Sequence, residues 1–112
     1  MSYYEFMPSD LASIILTEPW FAILDSEINP IVAELQRELS AEHLLFGQPV
    51  SAIARRQDCD DVLVRFGQSP PRYAVVHLTW SGKREISPEW PATQVFNSLD
   101  QFVQKMQQDS VE

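Results

Sequence analysis

The feature that most constrains this chain is the alternation of apolar and other residues between Val50 and Trp80. A period of two is typical of β-strands, because successive side chains of a strand point to opposite faces. Two turn-forming runs, Asp58–Asp61 and Gly67–Pro71, interrupt the alternation. Short turns join antiparallel neighbours, so the pattern predicts a three-stranded antiparallel meander over residues 50–81.

The lengths of the two turns predict how the strands pair. The first turn places Ile53 opposite Phe66, and the second places Ala74 opposite Val64. One face of the sheet is then almost wholly apolar and is expected to be the core face: Ile53, Val62, Val64, Phe66, Ala74, Val76, Leu78 and Trp80. The opposite face is mixed and carries Ala52, Ala54, Arg56, Leu63, Arg65, Tyr73, Val75, His77 and Thr79.

The residues before the sheet have mostly helical spacing. Apolar residues after Ser9 predict a short helix that ends near Thr17, because Pro19 disfavours helical dihedrals at Glu18. The run 20–24 fits either a helical turn or an extended segment. Asn29 and Pro30 predict the start of a second helix, whose apolar stripe ends at Leu39 and whose glutamates, Glu34 and Glu38, are expected to point away from that stripe.

The residues after the sheet predict an irregular stretch and then a helix. Prolines interrupt residues 83–95, and the following run Ser98–Gln101 matches a capping box. The sequence thus predicts one α+β domain over residues 1–112, mainly helical over 1–46, with the sheet at 50–81 and a C-terminal helix at 98–108. The N-terminal helices and the C-terminal helix are expected to pack together on one face of the sheet.

Charge and composition narrow the class of protein. The formal net charge is −8, which disfavours nucleic acid and anionic membranes as partners. The basic residues are uneven, since Ser51–Arg84 holds six basic and three acidic side chains. A single cysteine, no apparent signal peptide and no long apolar run predict an acidic cytoplasmic protein without a membrane anchor.

The sequence contains no recognisable catalytic or metal-binding motif. Cys59 is flanked by aspartates, which disfavour a reactive thiolate. The two histidines, His43 and His77, do not make a zinc set with one cysteine alone. We therefore predict no catalytic residue, no cofactor and no metal ligand, and the protein is not expected to be an enzyme.

Absence of catalytic signals favours a non-enzymatic protein-interaction or adaptor module. The candidate interaction surface comprises Arg56, Arg65, Tyr73, His77, Trp80 and Trp90. The partner is expected to be another protein, a basic one such as a toxin in view of the acidic charge, or a second copy of the chain. A homodimer would pair strands along Arg72–Trp80, which is expected to lie at a sheet edge.

Two alternatives use other residues. A small ligand-binding protein or enzyme would have a pocket near His77, Trp80, Glu85 and Trp90. Binding of nucleic acid or another anion would use the basic sheet face and its neighbours, namely Arg55, Arg56, Arg65, Lys83 and Arg84.

Several short motifs resemble a group of small uncharacterised bacterial proteins. They are Arg55–Asp58, Asp60–Leu63, Val76–Glu85 and Trp90–Thr93. The resemblance covers roughly residues 45–109 and leaves the N-terminal third unmatched. It implies a bacterial protein of unknown function and transfers no activity, ligand or partner. It also suggests that the segment around Trp80 is a trait of the group.

Overall fold

A computed structural model describes residues 16–67 and 70–109 of the chain. Five strands form one antiparallel sheet in the order β1-β2-β3-β4-β5. The strands are β1 (Trp20–Ala22), β2 (Val50–Arg56), β3 (Asp61–Phe66), β4 (Arg72–His77) and β5 (Ala92–Phe96). Within the described residues two helices accompany them, α1 (Asp25–Glu38) between β1 and β2, and α2 (Leu99–Asp109) after β5. The α+β class and the antiparallel sheet are confirmed, but the predicted number of three strands is wrong.

The two helices pack on opposite faces of the sheet, so the prediction that all helices share one face is wrong. Ile31 and Leu35 of α1 bury one face together with Val62, Val64 and neighbouring residues. Phe102 and Met106 of α2 bury the other face in a second cluster: Trp20, Ile53, Ala54, Leu63, Tyr73, Val75 and Phe96. The sheet is therefore the middle layer of three, and most of the face that looked mixed in sequence is covered.

The predicted register is right for β3 and β4 and wrong for β2 and β3. Ala74 lies opposite Val64 as expected. Along β2, however, a shift between Ala52 and Ala54 marks a bulge that leaves Ile53 without a partner. A bulge adds a residue to one strand and reverses the faces beyond it. Ile53 consequently packs in the cluster under α2. Phe66 pairs with Val50 because the turn also shifts the register by two residues, so that Arg55 lies opposite Val62.

Two strands escape the sequence pattern because they are short. The ambiguous run 20–24 contributes β1, which pairs with the end of β2. The stretch that was expected to be irregular up to residue 95 contains β5, which pairs with β4. Arg72–Trp80 is therefore not an edge strand, since β4 lies between β3 and β5 and the edges are β1 and β5.

The helix starts follow local hydrogen bonding. α1 begins at Asp25, one turn before the predicted Asn29 and Pro30, and the Glu27 carboxylate accepts the Leu24 amide proton at 3.3 Å. Acidic residues in the first turn favour this start through the helix dipole. The C-terminal helix is confirmed, and Ser98 Oγ accepts the Gln101 amide as an N-cap.

Two further sequence predictions concern the N-terminal helix and the position of Trp80. The short helix predicted from Ser9 falls mostly on residues 1–15, outside the described part of the chain. Trp80, expected on the core face, is 45% exposed, because the strand ends at His77 and the chain turns away from the sheet after the buried Leu78.

Candidate interaction surface

Two buried glutamates on α1 hold the segment that follows β4. We call residues 78–91, between β4 and β5, the Trp80 loop. The Glu38 carboxylate accepts the backbone amides of Thr79 at 3.0 Å and of Trp80 at 2.7 Å. The Glu34 carboxylate accepts the amide of Gly82 at 3.0 Å. Three amides that have no strand to pair with are thus satisfied by side chains of one helix.

The two carboxylates share one buried environment and differ in acidity. Burial, reinforced by the hydrogen bond to the neighbouring Glu34, raises the pKa of Glu38 to about 6. The same hydrogen bond lowers the pKa of Glu34 below its usual 4.5, helped by the Gly82 amide and the Arg37 guanidinium. Arg37 binds Glu34 at 2.8 Å. In mildly acidic solution the pair therefore carries its shared proton on Glu38.

The held loop places Trp80 in an unusual backbone conformation. Its φ is +55°, in the left-handed region that bulky side chains rarely adopt. The Glu85 carboxylate accepts the hydroxyl protons of Thr79 at 2.8 Å and Ser81 at 3.2 Å, and so ties the loop to itself. The indole of Trp80 is thereby presented from a braced backbone, and the amide of Glu85 donates to the backbone oxygen of Glu38.

A second loop lies against the first. We call residues 39–49, between α1 and β2, the Phe46 loop. Its anchor is His43, which is buried: the ring Nδ1 accepts the Leu45 amide at 3.1 Å, so Nε2 carries the proton and donates to the Pro91 carbonyl at 3.1 Å. The Arg84 guanidinium stacks over the Phe46 ring at 5.6 Å. The two loops therefore form one continuous part of the surface.

Most of the exposed large apolar side chains in the described part of the chain lie on these two loops. Phe21 and Leu24 lie elsewhere. The other five we call the two-loop surface: Leu44, Phe46, Trp80, Ile86 and Trp90. Ile86 is 99% exposed, which is rare for an isoleucine because its transfer out of water is favourable.

A cavity of about 530 Å³ lies between the two loops. Ser40, Ala41 and Glu42 line one side, and residues 84–86 line the other. Ser40 is only 7% exposed, and its Oγ has no hydrogen-bond partner among the residues that the structure describes. A buried hydroxyl without a partner is unfavourable, so this position has unused capacity for a hydrogen bond.

The six residues of the predicted interaction surface do not form one surface. Trp80 and Trp90 lie on the two-loop surface. Arg65 and Tyr73 are opposite each other on β3 and β4, where Tyr73 is only 7% exposed beneath α2. The guanidinium of Arg56 is bound by both Asp58 oxygens at 2.7 and 2.8 Å. A buried Tyr73 offers no ring for stacking on a nucleic-acid base.

The residues of the predicted pocket also lie in two places. His77 Nδ1 is 2.7 Å from Asp61 Oδ1, beside a shallow cleft of about 250 Å³ that also receives Thr93 and Lys105. Trp80, Glu85 and Trp90 are not among the residues that line this cleft. The Glu85 carboxylate instead accepts hydrogen bonds from Thr79 and Ser81 within the Trp80 loop.

Sequence reasoning missed the residues that organise the site. Glu34 and Glu38 were expected to point away from the apolar stripe of α1, yet both are buried. A signal was present, because Ile31, Glu34 and Glu38 follow the i, i+3, i+7 spacing of one helix face. Polar residues within such a stripe indicate buried partners.

Comparisons with known proteins add no family or relative. A scan against models of protein families, a search of curated proteins and a search of solved structures each found no match. Within residues 16–67 and 70–109, neither helix has the length and apolar character needed to cross a bilayer.

Proposed function

We propose that this protein is a non-enzymatic protein-interaction module that binds a basic protein partner through the two-loop surface. The observation that carries the proposal is the grouping of five exposed large apolar side chains on two adjoining loops. Contiguous exposed apolar surface on a monomer marks an interaction site more often than chance exposure does. Tryptophan is also among the residues that contribute most to binding energy at protein interfaces.

The rigidity of the Trp80 loop supports this proposal. Its backbone is tied to α1 through Glu34 and Glu38 and to itself through Glu85. A loop that is already ordered loses less conformational entropy on binding than a mobile one. The backbone that carries Trp80 is therefore ordered before the partner arrives.

Charge supports a basic partner. The chain has a formal net charge of −8, and on the two loops Glu42, Glu85 and Glu89 outnumber Lys83 and Arg84. Opposite net charges accelerate association, whereas two copies of the chain would repel each other. The cavity beside Ser40 adds a place where a polar side chain of the partner can fill space and donate or accept a hydrogen bond.

The test compares two matched double variants of the full chain as immobilised bait. Leu44→Ser with Ile86→Ser removes two side chains of the two-loop surface. Phe21→Ser with Leu24→Ser removes two exposed apolar side chains elsewhere. Proteins retained from a lysate of the encoding organism are quantified by mass spectrometry, and the affinity of each purified candidate is then measured at several salt concentrations.

We expect a basic protein that binds the wild type and the Phe21/Leu24 control equally and binds the Leu44/Ile86 variant at least about tenfold more weakly. Its association rate should fall as salt increases. The proposal is overturned if no protein distinguishes the two double variants, or if the protein that does so is acidic and associates independently of salt. Circular dichroism and thermal unfolding of both variants verify that neither change disrupts the fold.

A further inference from the structure

Three metal-ligating side chains converge at one end of the sheet, where β3 begins and β4 ends. Asp61 is the first residue of β3 and lies directly opposite His77, the last residue of β4. Cys59 belongs to the turn between β2 and β3. One ligand atom from each of the three residues lies within 4.8 Å of the others, and the described residues contain no other such group of three.

These separations are close to those of a bound metal. Tetrahedral zinc with bonds of about 2.0 Å to nitrogen and oxygen and about 2.3 Å to sulfur places its ligand atoms roughly 3.3 to 3.6 Å apart. The His77–Asp61 contact of 2.7 Å must open slightly, and the sulfur starts within 4.8 Å of both other ligand atoms. The ladder between β3 and β4 fixes the backbones of two ligands, while the turn and the half-exposed His77 ring can adjust.

The local charge favours a cation. Asp58, Asp60 and Asp61 stand within four residues, and the Arg56 guanidinium is engaged by Asp58. The carboxylates beside Cys59 therefore remain a source of negative potential. A divalent cation relieves the repulsion among these groups, and it compensates the thiolate that it binds.

A second interpretation of Cys59, His77 and Asp61 is a nucleophilic triad, and the acidity of the thiol opposes it. Burial raises the pKa of the Cys59 thiol, and the neighbouring Asp61 charge raises it further. A catalytic cysteine needs the opposite shift, towards a thiolate at neutral pH. Metal ligation is supported by geometry, which brings one thiol, one carboxylate and one imidazole within 4.8 Å of one another.

We propose that Cys59, Asp61 and His77 bind one zinc ion. Thiolate and imidazole ligands select a borderline-soft metal over Mg²⁺ or Ca²⁺, which prefer sites made of oxygen alone. Three protein ligands leave the fourth position of the ion open, and the cleft of about 250 Å³ beside His77 gives room there for water or a small anion. Sequence reasoning discounted zinc because it counted only histidine and cysteine and omitted the carboxylate.

The test is metal titration of the full chain after chelator treatment. Zn²⁺ is measured by calorimetry, native mass spectrometry gives the stoichiometry, and Co²⁺ reports thiolate ligation through its near-ultraviolet charge-transfer band. Cys59→Ser, Asp61→Asn and His77→Gln each remove one ligand. Asp60→Asn is the matched control, since it removes the same charge from the same turn but lies outside the group of three.

We expect one Zn²⁺ per chain, a charge-transfer band that Cys59→Ser abolishes, and affinity at least about tenfold weaker in each ligand variant. Asp60→Asn should change the affinity less than about threefold, and excess Mg²⁺ should not compete. Absence of saturable Zn²⁺ binding overturns the proposal. Equal losses in Asp60→Asn and Asp61→Asn also overturn it, because they would show general attraction to an acidic turn. Unchanged thermal unfolding of the metal-free variants confirms that lost binding is not lost folding.

Discussion

Substitution of Glu38 by glutamine tests the central feature of the site, a buried carboxylate that anchors the Trp80 loop. Glu38 is 0% exposed, and burial raises its pKa from 4.5 to about 6. A carboxyl group with a raised pKa binds its proton more tightly in the folded state than in the unfolded state. Its contribution to stability is therefore fully present below about pH 4.5 and is lost as the pH rises through 6.

The magnitude follows from the two pKa values. A difference of about 1.5 pKa units corresponds to about 2 kcal/mol between the fully protonated and fully ionised limits. Between about pH 5 and pH 7 the Glu38 contribution changes by about 1 kcal/mol, with the folded state more stable at pH 5. Glu34 acts in the opposite direction, but its lowered pKa places its effect below pH 4.5, outside this window.

The assay is urea unfolding of the full chain at pH 5 and at pH 7, carried out for the wild type, Glu38→Gln and Glu42→Gln. Glutamine has the size of the protonated side chain and does not titrate. The stability difference between the two pH values should shrink by about 1 kcal/mol in Glu38→Gln and stay unchanged in Glu42→Gln, because Glu42 is exposed. Groups that titrate in all three proteins cancel in this comparison. If Glu38→Gln keeps the wild-type pH dependence, the reasoning about the buried pair is refuted.

Two further predictions concern the backbone of the Trp80 loop and the core beneath α2. The free energy of unfolding of Trp80→Gly should be about 1 kcal/mol higher than that of Trp80→Ala, because glycine adopts φ +55° without a Cβ clash. The opposite order in urea unfolding would contradict the left-handed conformation. Phe102→Ala should lower the free energy of unfolding by about 3 to 5 kcal/mol, since the centroid of its buried ring lies 5.1 Å from that of Trp20 and 6.1 Å from that of Phe96. Phe21 is exposed, so Phe21→Ala should lower it by about 1 kcal/mol or less. Similar losses in both variants would contradict the packing.

The alternation of residues predicted the centre of the sheet because each turn there is short and marked by its own residues. Gly67 to Pro71 separates β3 from β4, and the pairing of Ala74 with Val64 followed directly. The same reasoning failed at β2. The turn places Arg55, not Gln57, opposite Val62, and the bulge at Ile53 then changes the face of residues 50–52. No composition signal distinguishes a bulge from regular alternation.

For a related reason, the sequence did not predict that α2 covers the mixed face of the sheet. Arg56, Arg65 and His77 made one sheet face look too polar to bury, although Leu63 and Tyr73 lie on it as well. In the structure the apolar centre of that face is buried, Arg56 and Arg65 are half-buried, and His77 is exposed. A sheet face can thus be covered in its middle and open at its margins, which a residue count over the whole face does not reveal.

The candidate site was predictable only in part. Trp80 and Trp90 were named as candidate interaction residues, although Trp80 was also expected on the core face. Leu44, Phe46 and Ile86 belong to loops whose contact depends on the buried His43 and its bond to Pro91. Contacts between residues almost fifty positions apart leave no local pattern. Clustering of His77 with Cys59 and Asp61 likewise depends on the pairing of β3 and β4 and on the turn before them.

The design of the Trp80 loop also favours a role beyond folding. A loop between adjacent strands such as β4 and β5 needs only a tight turn. This loop extends over residues 78–91, and two buried carboxylates of α1 accept its amides. Ionised groups at such positions are unfavourable compared with apolar side chains of similar size, and a tryptophan at positive φ adds strain. Departures from local preference that stability alone would not select are expected at functional sites. Replacement of the exposed Ile86 and Trp90 by serine, which keeps the amides that Glu34 and Glu38 bind, should accordingly leave thermal unfolding unchanged and weaken binding to the protein partner.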